Sequence, residues 1–285
     1  MTTVRAVREP GLQRLTREVT QGGWVQRCAR VGYAAKGAVY ALVGVLAVRV
    51  AAGEGGRPTD GEGALSSIAG QPFGAALLAL LAVGLVGFVV WRFVQALVDP
   101  EKKGTKPGGL AVRALYLFSG LIYAGLALSA LRLLLGRGRR GGGGSTQGWT
   151  ARLLEQPFGQ VLVALIGLGV LGYALHQARV AWKKKFVRKL DLSRLRVLSH
   201  DWAVRISRFG LAARAVVLGI IGVFFVRAAV NANAREAKGV GEALSTLSRQ
   251  PEGDLLLGAV ALGLVAYAVY LGVEARCRRI VAPGG

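Results

Sequence analysis

Arg30-Val-Gly-Tyr33-Ala-Ala-Lys36-Gly37-Ala-Val-Tyr40-Ala41-Leu-Val-Gly44 opens a stretch that stays apolar to Arg49, and the chain writes it three times. The second copy carries Arg113, Tyr116, Ser119, Gly120, Tyr123, Ala124 and Ala127 and ends at Arg132. The third carries Arg208, Leu211, Arg214, Ala215, Leu218, Gly219 and Gly222 and ends at Arg227. The two flanking arginines lie 19 residues apart in every copy. As a helix that is roughly 28 Å, close to the ~30 Å hydrocarbon thickness of a bilayer. Each copy therefore reads as one membrane crossing with an arginine at either surface.

Each copy has a second half, opened by Gln71-Pro72-Phe73-Gly74, Gln156-Pro157-Phe158-Gly159 and Gln250-Pro251-Glu252-Gly253. Thirteen residues after each glutamine comes a glycine: Gly84, Gly169 and Gly263. Three further on stands another small residue, Gly87, Gly172 or Ala266, followed by Phe88, Tyr173 or Tyr267. A period of this kind is read before any local feature. The 285 residues are 53% hydrophobic, 42 are glycine, and mean hydropathy is +0.44. Six apolar runs of about 20 residues exceed what a soluble core needs. The expected fold is an all-α polytopic membrane protein, with six transmembrane helices as three tandem two-helix repeats. Each unit has an even number of spans, so all three enter the membrane alike and are related by an axis along its normal. Three such units point to a pseudo-threefold bundle, with a linear or skewed row as the alternative.

The spans expected are 31–51, 72–98, 110–135, 157–181, 209–230 and 254–275. They group into membrane repeat 1 at 31–98, repeat 2 at 110–181 and repeat 3 at 209–275. A basic N-terminal segment, 1–30, lacks the apolar core of a cleavable signal. A basic amphipathic linker at 182–208 and a tail at 276–285 complete the chain. Pro72 and Pro157 are expected in the first helical turn, and 136–148 as a glycine-rich flexible linker. Cys28 and Cys277 read as reduced bystanders at helix ends. The Ala, Gly, Arg and Val excess suits a high-G+C bacterial genome.

Charge sets the orientation. Segments 1–30, 99–113, 182–208 and 274–285 hold 22 Lys or Arg against 7 acidic residues, whereas the alternate loops hold 8 against 8. The positive-inside rule places both termini in the cytoplasm of a plasma-membrane protein. A pI near 11.2 would otherwise raise nucleic acid, but basic loops beside spans meet anionic lipid. The bilayer, with anionic lipids at its cytoplasmic face, is the expected partner, and nucleic acid is not. The run from Lys183 to Arg208 mixes basic and apolar residues, as does a helix lying in the headgroup layer.

The small residues have a mechanical meaning. Gly37 and Ala41, Gly120 and Ala124, and Ala215 and Gly219 are spaced four apart. Gly84 and Gly87, Gly169 and Gly172, and Gly263 and Ala266 lie on one face of the even helices. Helices in lipid gain by close backbone approach, which such residues permit.

The pattern resembles the domain-of-unknown-function family 1206, in which a two-helix membrane unit occurs in tandem. The resemblance covers about residues 27–280. It rests on Arg30-Val-Gly-Tyr33-Ala-Ala-Lys36-Gly37, on Gln71-Pro72-Phe73-Gly74 with its repeats, and on Glu274-Ala275-Arg276. It implies the fold and brings no activity with it. The third copy departs from the pattern with Leu211 and Leu218 for the tyrosines and Glu252 for Phe73.

Chemistry-bearing groups are few. His176 stands where the other copies have Trp91 and Tyr270, an interface position, and His200 lies in the basic linker. No catalytic set, zinc spacing or phosphate loop appears, so no enzyme, cofactor or metal is expected. Lys36 and Arg214, with Ser119 in register between them, lie about 9 Å inside the inner surface by helix rise. They either snorkel to headgroups or line the bundle interior with positive charge. Arg49, Arg132 and Arg227 share one depth at the outer surface. They either anchor helix ends or converge as an anion-binding ring, for which guanidinium groups are suited. With Lys36 and Arg214 they are the candidate anion or headgroup contacts. The expected function is non-enzymatic interaction with lipids or membrane partners, and the alternative is a small-solute or ion pathway through the bundle.

Overall fold

The computed structural model describes residues 23–101, 103–137, 144–183 and 200–277. The expectations for most of the N-terminal segment, the centre of the glycine-rich loop, most of the basic linker and the end of the tail lie outside the described residues. Nine α-helices and one 3-10 turn make up the described structure, with no strand among the described residues. Six helices are long and apolar enough to cross a membrane: α1 (Gly23–Ala51), α3 (Gly74–Leu97), α4 (Pro107–Leu134), α6 (Gly159–Trp182), α7 (His200–Val230) and α9 (Gly253–Cys277). Three short helices stand between the members of each pair: α2 (Gly61–Ala69), α5 (Gly144–Leu154) and α8 (Val240–Ser248). The spans expected from sequence leave these segments as loops, and α5 begins at Gly144, inside the stretch 136–148 expected as a flexible linker. A nine- to eleven-residue helix is too short to announce itself by period, and composition there is mixed.

The repeated Gln-Pro-Phe-Gly is a turn and not the first turn of a helix, which corrects the expected place of Pro72 and Pro157. Gly74 N–H donates to the Gln71 carbonyl at 2.8 Å, and Gly159 N–H to that of Gln156 at 2.9 Å. Proline presets the second position of such a turn, and the third takes a positive φ. Phe73 and Phe158 both sit at φ 62°, and Glu252 at 58°. The following glycine admits no side chain, because a Cβ would strike the carbonyl of Ile68, Leu153 or Ser248 at the end of the short helix. The motif thus folds each short helix back onto the start of a long one.

The odd helices also end alike. Beyond α1, Gly53 at φ 81° donates to the Val50 carbonyl, and Glu54 N–H to that of Arg49. Beyond α4, Gly136 at φ 67° and Arg137 do the same with Leu133 and Arg132. Beyond α7, Ala232 at φ 48° and Asn233 repeat it with Ala229 and Ala228. This paired bonding satisfies the last helical carbonyls and calls for a left-handed residue.

The long helices are neighbours in the order α1, α3, α4, then α6, α7, α9, and α9 packs back against α1. That is a ring of six helices, open between α4 and α6. Equivalent latches join successive repeats at the end where α1 begins and α9 stops. Arg113 Nε donates to the Ala96 carbonyl at 2.7 Å, and Arg208 Nε to the Ala181 carbonyl at 3.2 Å. Each arginine meets the carbonyls that end the preceding even helix, where positive charge is favoured.

Candidate functional site

Lys36 opens the site because it does not snorkel. Its side chain is 2% exposed, although it sits within a membrane-length apolar helix. The ammonium stands 4.8 Å from the Phe88 ring centre, 4.9 Å from Tyr123 and 5.9 Å from Tyr40. Arg214 occupies the same register on α7. Its guanidinium lies 4.9 Å from the Tyr267 ring, 5.6 Å from Tyr173 and 5.9 Å from Tyr40. Arg214 Nε donates to the Tyr40 hydroxyl at 3.3 Å and Nη1 to the Tyr173 hydroxyl at 3.4 Å. Tyr40 is thus shared by both cations. Rings of α1, α3, α4, α6 and α9 and the guanidinium of α7 meet in one layer, so all six long helices contribute.

Repeat register explains the convergence. Phe88, Tyr173 and Tyr267 are equivalent positions on the even helices, and Tyr40 and Tyr123 on the first two odd ones. Equivalent positions of the repeats therefore supply the aromatic layer. Tyr40 meets Tyr267 edge to face at 4.8 Å, and Phe88 meets Tyr123 at 4.7 Å. The aromatic faces attract the cations, by about 0.5–2 kcal/mol each.

A third cation adjoins the layer. Arg92, 9% exposed, lies 4.8 Å from the Phe88 ring and 5.1 Å from Tyr116. Its Nη1 donates to Gln95 at 2.9 Å, and Gln95 Nε2 donates to Glu101 at 2.8 Å. Glu101 also accepts from Tyr116 at 3.0 Å and pairs with Lys103 at 3.4 Å. The Arg92 Nε is buried and has no hydrogen-bond partner. Glu274, 5% exposed, brings a carboxylate into the interior of α9 near the same end.

Three consecutive segments, 31–99, 114–184 and 209–278, match the family model described as "Domain of Unknown Function (DUF1206)". The chain belongs to the DUF1206 family. The three matches coincide with the three helix pairs, so the DUF1206 unit is one odd helix, one short helix and one even helix. A relative in Bacillus subtilis (strain 168), "Uncharacterized protein YxxB", is 38% identical over 247 residues, covering 87% of this chain and 89% of that protein. No solved structure matches.

Two of the arginines that end the odd helices of the DUF1206 units are held locally. Arg49 Nε donates to Glu54 at 2.6 Å with both side chains exposed. Arg227 pairs with Glu236 at 3.4 Å, and Arg132 is exposed. The residues drawn together on a shared surface are instead Lys36 and Arg214. Ser119, their counterpart in the second unit, is half-buried.

Most of the small residues sit in packed seams. A Cβ on Gly84 would strike Ala35, and one on Gly263 would strike Ala213. One on Gly87 would lie 3.0 Å from the Cys28 carbonyl, and one on Gly37 3.3 Å from the Ala268 carbonyl. Gly120 faces Arg92 and Phe93. Ala215 is buried, Ala41, Ala124 and Ala266 are half-buried, and Gly219 has open space beside it. Gly169 and Gly172 also have nothing within 4 Å. Sequence reasoning missed Arg92, which reads as an ordinary helix-end arginine. It also missed Gly32 and Gly210, where a Cβ would meet the backbone of Phe88 and Tyr267. Aligning the aromatic that follows each small pair against the cation register would have found the layer.

Proposed function

We propose that this protein is a non-enzymatic multi-pass protein of a bacterial plasma membrane, with both termini in the cytoplasm. Its ring binds an anionic group of phosphate or carboxylate type, carried by a membrane amphiphile, in the cation–tyrosine layer. The observation that carries this reading is the set of three cations, Lys36, Arg92 and Arg214, on shared aromatic faces. A charge within a span costs about 2.5–3.5 kcal/mol on insertion scales, and such residues mark ligand or ion sites. The hydrogen bonds of Arg214 go to neutral hydroxyls, which do not neutralise its charge. The Arg214 guanidinium of α7 reaches Tyr40 of α1, which is not its ring neighbour, and this contact argues against an open solute path at this depth. The cytoplasmic side is assigned by the basic excess of the segments at the terminus-bearing end.

The test is purification in native lipid, with bound species identified by native mass spectrometry. The expected result is an anionic amphiphile retained by the wild type and lost from Arg214→Gln and Lys36→Gln. Equal retention by all three proteins would refute the reading. Reporter fusions placing residue 142 in the cytoplasm would refute the orientation.

A further inference from the structure

The ring is packed at five of its six helix boundaries, and the sixth, between α4 and α6, is not. The sequence holds the cause. In the first and third repeats, Gly32 with Ala35 and Gly210 with Ala213 let the odd helix touch the backbone of its even partner. The equivalent residues of the second repeat are Leu115 and Phe118, 38% and 44% exposed. On the even helix of the same repeat Gly169 and Gly172 have nothing within 4 Å, whereas their counterparts Gly84, Gly87 and Gly263 are in contact. Accordingly α4 and α6 are the least buried spans, at 22% of their apolar windows against 39–50% for the others.

Behind this opening lies the cation layer. Tyr173, on α6 next to Gly172, holds Arg214, and both are only half-buried. Arg92, nine-tenths buried, keeps an unpartnered Nε over Tyr116 of α4. We infer that the α4–α6 opening is a lateral portal occupied by an acyl chain of an anionic bilayer lipid, whose charged group reaches Arg214 and Arg92. The opening is apolar and lies at hydrocarbon depth, so its occupant is apolar where it meets Leu115, Phe118, Gly169 and Gly172. Gly169 and Gly172 leave open space beside α6 of the width a methylene chain needs, and the charge behind it selects an anion. This inference rests on the reading of the core as an anion site.

The experiment uses the full-length protein in nanodiscs containing phosphatidylglycerol with a photoreactive diazirine in one acyl chain. Labelling is expected to concentrate on residues 115–122 and 165–176. Gly169→Leu with Gly172→Leu fills the space that is open there, so melting should be unchanged or higher while labelling there falls about tenfold, the equivalent of 1.4 kcal/mol. Uniform labelling of all lipid-facing helices, or unchanged labelling in the filled variant, would overturn the portal. So would a dimer cross-linked through these residues, which would make the opening an interface between copies. Stabilisation by inorganic phosphate that is equal in wild-type and filled proteins, with no lipid retained, would overturn it as well, since the anion would need no chain. If Arg214→Gln alone loses the lipid, the core reading stands and the portal falls. If Arg214→Gln retains it in full, the core reading falls and the inference with it.

Discussion

Replacing one glycine at the same repeat position should have opposite effects in different copies. The position is Gly84, Gly169 and Gly263. At Gly84 and Gly263 a Cβ would come within 3.0 Å of Ala35 or Ala213, whereas at Gly169 nothing lies within 4 Å. Packed carbons prefer about 3.5–4.0 Å, so Ala at 84 or 263 must force the helices at least about 0.5 Å apart. Overpacking of this kind costs roughly 1–3 kcal/mol. Against it stands the helix gain of Ala over Gly, up to about 1 kcal/mol. Gly84→Ala and Gly263→Ala should therefore lose about 1–2 kcal/mol, and Gly169→Ala should be neutral or gain up to about 1 kcal/mol. At about 2–4 °C per kcal/mol for a chain of this size, thermal unfolding in one detergent should separate the two groups by several degrees. Three equal shifts, or Gly169→Ala as the most damaging change, would refute both the packing argument and the open boundary.

Four further outcomes follow from local geometry. Ala232→Gly should raise stability by about 1 kcal/mol in thermal melts, because Ala232 holds the left-handed helix-end position at φ 48° that Gly53 and Gly136 fill elsewhere. Arg113→Met and Arg208→Met should each lower stability by roughly 1–2 kcal/mol, by removing a charged donor from the carbonyls of Ala96 and Ala181. Arg214→Met should be neutral or stabilising in the ligand-free protein, since an apolar replacement removes a charge from within a span, while ligand retention is lost. Burial pushes the Asp60 carboxyl above its usual value of 3.8; the Gly63 amide bond opposes this, and Glu62 and Glu242 add to it. A raised carboxyl favours the folded state below that value and loses the advantage as pH climbs through the folded pKa. Asp60→Asn keeps the cap and should therefore stabilise the protein at pH 7, with the difference shrinking in acid melts.

The fold was legible because three copies repeat the same constraints. The 19-residue arginine spacing, the Gln-Pro turn and the small pairs each occur three times, so chance patterns cancel and the helix-pair unit stands out. The inner arginines were visible as helix-end markers, but their partners were not, because the Ala96 and Ala181 carbonyls carry no side-chain signal. The short helices were hidden for a related reason. Their ends are fixed by tertiary contacts such as Ser129 Oγ donating to Glu62 at 2.9 Å, across 67 residues. The register of Lys36 and Arg214 could be read, but not their direction, since snorkelling and burial use the same residue at the same depth. Only the inward-turned Phe88, Tyr123 and Tyr267 decide between them.

The second repeat is where symmetry is broken, and the breaks have one consequence. It carries Ser119 in place of a cation, and Leu115 and Phe118 in place of small residues. The first change removes positive charge from α4, and the second holds α4 away from α6. A lysine at position 119 would add a charge to α4, one of the two helices that flank the opening, where lipid and headgroup could neutralise it without entering the ring. With serine there, the nearest guanidinium inward past Tyr173 is that of Arg214, held on hydroxyls and aromatic faces. An anion arriving by the opening therefore meets neutral hydroxyls first and charge second, which draws it in and does not trap it at the rim. Ser119→Lys should consequently weaken retention at Arg214 even though it adds a positive charge, and native mass spectrometry of that variant beside wild type can check it. Stronger retention would mean that total charge, and not its placement behind the opening, governs binding.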